Sequence, residues 1–380
     1  MKTLHSLLIS ATTLSVLACG GSDDGGAPGT PESENAYTRE YGCVTPETGF
    51  PGDATCLKPP TSEQGFQLHY GPKNYDDKAE VNRFVLAPGA ELTDCMFFTT
   101  PNDREVFMSE YHVRARPGTH HIIVYAGPTA AGAEGSLGAC ELGLGMRFMV
   151  GAQSGIGPEG VTLDVPLPGQ APAPENVGYA SRLPPNTAVA FQMHYVNPNR
   201  DKEVLREGWV NFHYVDEAEV TTIVDPVWFI GGLGARIAPF SSMTIEAKGC
   251  TIPPNGPDEL RIMGLSAHMH AMGTGFHAYK VGLDGKRTLS DQTFEWAEPL
   301  EAQFDSTHHY ETPDVQAENE GAHSGVLTIK KGESLEYDCV YDNTSEFELA
   351  FGDKAYTGQM CNLFGFYAPG WEAPWDCYNP

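Results

Sequence analysis

The stretch Ala188-Val-Ala-Phe-Gln-Met-His-Tyr-Val196 decides the fold class of this chain. It is apolar on both faces of an extended backbone, and it leads into the turn sequence Asn197-Pro198-Asn199. A short apolar run with β-branched and aromatic residues that ends at a turn signal is typical of a buried strand. We therefore predict a strand over 188–196.

Strand patterns recur on both sides of this stretch. His121-Ile-Ile-Val-Tyr125 is a second buried-type run, residues 260–281 fit a long hairpin, and residues 326–341 fit a strand pair. No apolar stripe with a 3.6-residue period extends beyond two helical turns. The sequence thus predicts an all-β protein, with antiparallel β-sandwich or jelly-roll domains and long loops.

Composition narrows the class of protein. The chain has 380 residues, 42 glycines, 29 prolines and a net charge of −27. The negative charge disfavours nucleic acids and anionic lipid surfaces as partners. The length favours two domains, and we place their boundary between residues 222 and 223, which gives domains over 39–222 and 223–380.

The first 18 residues read as a signal peptide, with a basic start, a short apolar run and small residues before Cys19. Leu17-Ala18-Cys19-Gly20 resembles a bacterial lipobox, which implies a lipid on Cys19 and delivery to the outer membrane, the cell surface or the periplasm. Residues 19–38 then read as a flexible tether. We expect contact with the membrane through this lipid alone.

Eight cysteines remain after Cys19, an even number that favours four structural disulfides in an exported protein. Eight cysteines allow 105 pairings, and the residues alone do not choose among them.

Four short patterns carry candidate metal ligands. His120-His121 follows the bend-forming Pro117-Gly118, and His194 lies in the strand predicted above. His268 and His270 lie two apart, so a strand would place both imidazoles on one face. Met360 precedes Cys361, and a soft thioether with imidazoles favours copper over zinc. Each pattern also has a plain structural explanation, since histidine and methionine are common packing residues.

Taken in this order, the four patterns resemble the copper type II, ascorbate-dependent monooxygenases, the family of peptidylglycine alpha-hydroxylating monooxygenase and dopamine beta-monooxygenase. The stretch Cys339-Val-Tyr-Asp-Asn-Thr also resembles the family segment before the methionine. The resemblance covers residues 60–380. It implies two antiparallel β-sandwich domains of jelly-roll type that flank a cleft.

The same resemblance implies two coppers per chain and ascorbate as reductant. An electron-transfer copper would lie on His120, His121 and His194. The catalytic, oxygen-activating copper would lie on His268, His270 and Met360. The implied disulfides are Cys95–Cys140, Cys250–Cys377 and Cys339–Cys361, and Cys43–Cys56 remains as a local fourth pair.

The chain departs from the peptide-processing member of the family at the substrate residues. Ser266 stands where that member has an arginine that grips a carboxylate, and Phe364 stands where it has a tyrosine, whereas Asn362 is retained. We therefore expect a small organic substrate rather than a peptide. The pair His308-His309 reads as a solvated loop.

Three functions remain open from the sequence. The first is an exported monooxygenase that hydroxylates a small molecule with O2. The second is a copper-binding or copper-handling surface lipoprotein without turnover. The third is a β-sandwich that binds glycans or another protein. The substrate, the physiological reductant and the oligomeric state stay open.

Overall fold

The structure is a computed structural model of the 380-residue chain. In the residues described, no helix is both long enough and apolar enough to cross a membrane. The structure describes residues 47–127, 132–140, 146–153, 160–166, 174–297, 299, 301–306, 319, 321–323, 325–371 and 375–378.

Strands dominate the described residues, as predicted. The first half holds a short helix α1 (Lys78–Asn82), two 3-10 turns (Pro174–Asn176 and Glu217–Glu219) and the following strands: β1 (Gly65–Tyr70), β2 (Val85–Leu86), β3 (Glu91–Thr99), β4 (Val106–Ala115), β5 (Thr119–Gly127), β6 (Leu137–Gly138), β7 (Arg147–Gln153), β8 (Val161–Pro166), β9 (Tyr179–Leu183), β10 (Ala188–Val196), β11 (Val204–Leu205), β12 (Gly208–Val215) and β13 (Thr222–Ile223).

The second half consists of strands and loops in its described parts. Its strands are β14 (Asp225–Gly231), β15 (Arg236–Ile237), β16 (Ser241–Thr251), β17 (Glu259–Met269), β18 (Gly273–Val281), β19 (Arg287–Thr293), β20 (Glu301–Gln303), β21 (Leu327–Lys330), β22 (Ser334–Asn343), β23 (Leu349–Phe351), β24 (Gly358–Gln359), β25 (Cys361–Ala368) and β26 (Trp375–Tyr378).

These strands pair into six sheets within the described residues. Two sheets lie in the first half, with strand orders β1-β12-β4-β9-β13 (β8 also pairs with β4) and β6-β3-β10-β5-β7. The second half has β20-β17-β25-β14-β26 (β21 also pairs with β17), β16-β22-β18-β19 and β15-β23-β24. A two-stranded ribbon, β11-β2, completes the set. The strand predicted over residues 188–196 is confirmed as β10, which lies at the centre of its sheet.

Two large hydrophobic clusters fill the space between the sheets. One draws its buried residues from Phe66 to Phe212, the other from Val227 to Trp375. A third cluster contains residues from both halves of the chain: Phe97 and Ile123 of the first half pack in it with Trp228 and Phe364 of the second.

The expectation of two jelly-roll sandwich domains flanking a cleft is wrong. The all-β class is correct, but residues 37–380 form one compact unit with several separate sheets. The physical reason is the third cluster, where aromatic rings of the two halves meet directly, such as Tyr125 with Trp228 at 5.2 Å and Phe148 with Phe364 at 4.9 Å. The domain bounds stay a prediction.

Three disulfides link described residues: Cys95–Cys140, Cys250–Cys377 and Cys339–Cys361. These are the pairings that the family resemblance implied. Cys56 is also disulfide-bonded, and Cys43 lies outside the described residues, so the Cys43–Cys56 pair stays a prediction.

A buried ion cluster supports the turn that leads into His120. The Arg116 guanidinium donates to Glu207 Oε2 at 2.6 Å and to Asp53 Oδ1 at 2.8 Å, and its side chain has no exposed surface. The Arg116 carbonyl accepts from the hydroxyls of Thr119 and Tyr195, both at 2.8 Å. Arg116 therefore stabilises the β4–β5 turn in two ways, through the ion pairs of its side chain and through the hydrogen bonds to its backbone carbonyl.

We predict that Arg116→Met destabilises the protein by about 3–5 kcal/mol, because it removes the cation that lies against the two buried carboxylates of Glu207 and Asp53. Glu207 keeps its hydrogen bonds with His69 and Tyr75. The matched control is Arg236→Met, which removes an exposed pair with Glu348 at 2.9 Å and should cost less than about 1 kcal/mol. Equilibrium unfolding in urea measures both. Equal losses for the two variants would contradict the assignment of Arg116 as the support of this turn.

Candidate metal centre

A β-bulge brings His120 and His121 to one side of their strand. His194 on β10 pairs with His121 on β5, and the next residue, Tyr195, pairs with Thr119, so His120 is the extra residue of the bulge. Adjacent residues of a regular strand point to opposite faces, and a bulge re-aims one of them. The adjacent histidines thus face a common point because of the bulge, next to the bend expected at Pro117-Gly118.

The second half contributes His268 and His270 from the end of β17. His268 pairs with Asn362 on β25, and His270 is the first residue after the strand. The two rings lie 5.3 Å apart, centroid to centroid.

All five imidazoles form one buried cluster, and none is more than 5% exposed. One ligand atom from each of His120, His121 and His194 lies within 4.8 Å of the others. The His121 ring lies 5.0 Å from His268, and the His194 ring 6.2 Å from His270. The two ligand sets implied by the resemblance are therefore neighbours in a single centre.

Hydrogen bonds determine which ring nitrogens point into the cluster. His194 Nε2–H donates to Glu91 Oε1 at 2.8 Å, and His121 Nε2–H donates to Gln192 Oε1 at 3.2 Å. The opposite nitrogens, Nδ1 of both rings, have no hydrogen-bond partner among the described residues. An imidazole held in this way through one nitrogen presents the other as a metal ligand.

Burial favours the neutral form of three of these imidazoles, those of His121, His268 and His270, and the neutral form is the one that binds metal ions. Loss of hydration, together with the neighbouring imidazoles, holds the pKa of His121 and of His268 well below the usual value. The same burial lowers the pKa of His270 to about 3. Burial raises the pKa of Glu91, but the hydrogen bonds from His194 and the Ala355 amide outweigh it and bring that pKa below its usual value.

Met360 lies beside His270 because one hydroxyl holds both backbones. The Tyr341 hydroxyl accepts from the His270 amide at 3.0 Å and from the Met360 amide at 3.2 Å, and it donates to the Met360 carbonyl. The Asn362 amide nitrogen lies 3.8 Å from Met360 Sδ. The thioether thus has a fixed backbone next to the second histidine pair.

The expected substrate residues lie on the strands that carry this pair. Ser266 on β17 pairs with Phe364 on β25. The Phe364 ring lies 6.2 Å from the His268 ring, edge to face, and Asn362 is buried opposite His268. The positions expected to hold a carboxylate grip therefore carry a hydroxyl and an aromatic ring, and no positive charge.

The remaining histidines with described positions lie apart from the centre. The rings of His112 on β4 and His213 on β12 lie 4.5 Å apart at a tilt of 48°, and His277 bonds to Asp338 at 2.7 Å. His308, His309 and Cys19 lie outside the described residues.

Sequence reasoning missed the residues that hold the ligands. Glu91 lies 103 residues from His194 in the sequence, and Tyr341 lies 71 residues from His270. No local pattern therefore indicated them. Gln192 carries a weak signal, since it lies two residues before His194 and so shares its strand face.

Comparisons with known proteins indicate a distant relationship. No family model matches the chain. The chain is 20% identical over 316 residues to the human protein described as "Putative DBH-like monooxygenase protein 2", which covers 76% of this chain and 56% of the relative. The chain thus spans about half the length of that relative. This similarity relates the chain to a monooxygenase, in line with the resemblance found in the motifs.

Similarities to solved structures are weak. The major capsid protein P2 of bacteriophage PM2 is 10% identical with a TM-score of 0.28, over 81% of this chain and all of that one. PNGF-II is also 10% identical with a TM-score of 0.28, over 80% of this chain and 66% of that one. At these scores neither informs the fold.

We predict that Tyr341→Phe lowers the free energy of unfolding by about 1–3 kcal/mol, because buried backbone groups of His270 and Met360 lose a partner. The control is Tyr337→Phe on the same strand, whose hydroxyl has one contact, with the Cys361 carbonyl at 3.3 Å. That loss should be smaller, about 0.5–1.5 kcal/mol. Urea unfolding of both variants is the measurement, and a larger loss for Tyr337→Phe would refute the role given to Tyr341.

Proposed function

We propose that this protein is a copper-dependent monooxygenase that hydroxylates a C–H bond of a small organic substrate. Its co-substrates are O2 and ascorbate, or another one-electron reductant. The observation that carries the proposal is the buried cluster of five imidazoles, with the Met360 backbone held next to that of His270 by the Tyr341 hydroxyl. The similarity to a DBH-like monooxygenase points to the same class of reaction.

The donor set fits copper. Imidazole suits copper in both common oxidation states, and a thioether favours Cu(I). The Nδ1 atoms of His121 and His194 are buried without a hydrogen-bond partner among the described residues. Since an unsatisfied buried nitrogen is costly, a bound metal is a physical reason for this arrangement.

We assign two coppers per chain. His120, His121 and His194 would hold the one that receives electrons, and His268, His270 and Met360 the one that activates oxygen. When bound, copper supplies one-electron redox chemistry and a binding position for O2. The overall reaction balances when R–H and O2 take up two electrons and two protons and give R–OH and water.

The protein's own residues prepare this centre. Glu91 and Gln192 orient two of the imidazoles, and Tyr341 keeps Met360 close to His270. Phe364 and Phe148 form an apolar wall next to His268, which excludes water from the reacting C–H bond. The chain thus orients the candidate ligands and excludes water from the site, and copper, when bound, would supply the redox chemistry.

The same wall favours a neutral, aromatic or cationic small molecule as substrate. Ser266 and Phe364 offer no positive charge for a carboxylate, and the whole chain carries a charge of −27. This charge also makes nucleic acid an unfavourable partner.

We place the protein outside the cytoplasm. Its disulfides fit an oxidising compartment. The finer assignment, a lipoprotein attached through Cys19 to the outer membrane or the cell surface, rests on the lipobox pattern.

The copper assignment predicts a specific effect of Met360→Leu. This change conserves volume and should cost less than about 1.5 kcal/mol in stability. The protein should keep the copper on His120, His121 and His194, lose the copper–sulfur scattering in X-ray absorption of the reduced form, and lose turnover by orders of magnitude. Met263→Leu, at a buried methionine on β17, should change neither spectrum nor rate.

The outcome separates the candidate functions. No copper uptake at all would refute the proposal in favour of a binding module for glycans or another protein. Two bound coppers without oxygen consumption, in the presence of ascorbate and a panel of small aromatic and cationic substrates, would support a copper-handling lipoprotein.

The substrate class makes its own prediction. Glycine-extended peptides should react at least tenfold more slowly than small uncharged aromatic molecules, because Ser266 replaces the carboxylate-gripping arginine. Oxygen uptake with each substrate at equal concentration is the measurement. Efficient hydroxylation of such a peptide would overturn this substrate assignment.

A further inference from the structure

Gln153, the last residue of β7, connects the histidine cluster to a distant loop. Its amide oxygen lies 2.6 Å from His268 Nδ1. Its amide nitrogen donates to the carbonyls of Trp296 at 2.7 Å and Ala297 at 3.3 Å. One side chain of the first half therefore bonds to two separate segments of the second half.

These contacts leave a single orientation for the amide group. Carbonyl oxygens accept hydrogen bonds and do not donate, so the amide nitrogen must face Trp296 and Ala297. The amide oxygen then faces His268 Nδ1. Because that oxygen can only accept, Nδ1 must carry the hydrogen. His268 is thereby held as the Nδ1–H tautomer, with the Nε2 lone pair left for a ligand.

The loop that Gln153 holds covers the cluster with an aromatic side chain. The Trp296 ring lies 5.5 Å from the His120 ring and 5.8 Å from the Tyr356 ring, and Tyr356 is 45% exposed. Trp296 thus stands between the imidazoles and the outer surface near Tyr356. Its position depends on two backbone carbonyls that Gln153 binds.

We propose that Gln153 is a positioning residue that sets the His268 tautomer and the place of the Trp296 cover at the same time. Removal of its amide frees both, so the ligand nitrogen and the cover lose their fixed positions together. The part that concerns metal affinity rests on the proposed function. The tautomer and the cover are properties of the protein without metal.

Two variants separate the two contacts. Gln153→Glu keeps an oxygen that accepts from His268 Nδ1–H, but it removes the donor to Trp296 and Ala297 and places a carboxylate near their carbonyls. Gln153→Leu removes both contacts. Gln67→Leu is the matched control, because Gln67 is also partly buried and donates to a carbonyl, that of Leu57 at 2.8 Å, on the distant strand β1.

The metal-free protein gives the first readouts. Two-dimensional NMR of 15N-labelled histidine reports the tautomer of each ring, and hydrogen–deuterium exchange reports opening of residues 294–297. We expect Gln153→Glu to keep the His268 tautomer while exchange in 294–297 rises at least tenfold. Gln153→Leu should change both, and Gln67→Leu neither.

The copper-loaded protein gives the second readout. Chelator competition should show at least tenfold weaker binding of one copper in Gln153→Leu, and no change in Gln67→Leu. If Gln153→Leu and Gln153→Glu leave both tautomer and exchange as in the unaltered chain, the positioning role is overturned. If both change as expected and no variant binds copper, the positioning role stands and the proposed function fails.

Discussion

The burial of five imidazoles around one point is the constraint on which the rest of this structure depends. A polar nitrogen that is buried without a hydrogen bond costs about 1–3 kcal/mol. His121 and His194 each carry such a nitrogen within the described residues. A fold that served stability alone would place apolar side chains here. The cost is concentrated where metal binding would offset it, which is the usual relation between a functional site and stability.

The outer ring of hydrogen bonds makes this arrangement specific. Glu91 accepts from His194 and also from the Ala355 amide of the second half, at 2.5 Å. Gln153 makes the corresponding connection on another side, to His268 and the Trp296 loop. Tyr341 joins the backbones of His270 and Met360. Each of these groups acts through a ligand, and two of them also bind the halves of the chain to each other.

The packing of the two halves explains why the chain does not form two separate sandwich domains, and it also explains the geometry of the site. Aromatic rings of the first half contact Trp228 and Phe364 of the second. The Phe364 ring also lies 6.2 Å from the His268 ring, so the apolar contact between the halves continues into the histidine cluster. A cleft between two separate sandwiches would have kept the histidine sets apart. Here the same contact that joins the halves brings His121 and His268 within 5.0 Å, ring to ring.

Local patterns in the sequence determined the all-β class, the strand at 188–196, and the residue types of the candidate ligands. These follow from the two-residue period of a strand and from the chemistry of imidazole and thioether groups, which act over a few residues. The order of the motifs led to the family resemblance. That resemblance implied the three disulfides that link described residues, and it agrees with the similarity to a DBH-like monooxygenase.

Tertiary structure alone decided the rest. The bulge at His120 depends on the register between β5 and β10, which a sequence pattern does not contain. The partners Glu91, Gln153 and Tyr341 are each between 71 and 115 residues away from the histidine they hold. Such contacts form where separate strands pack, and the free energy of packing depends on all the surfaces that meet there. For this reason the sequence could propose candidate ligands, and the contacts that hold their side chains in place could not be read from it.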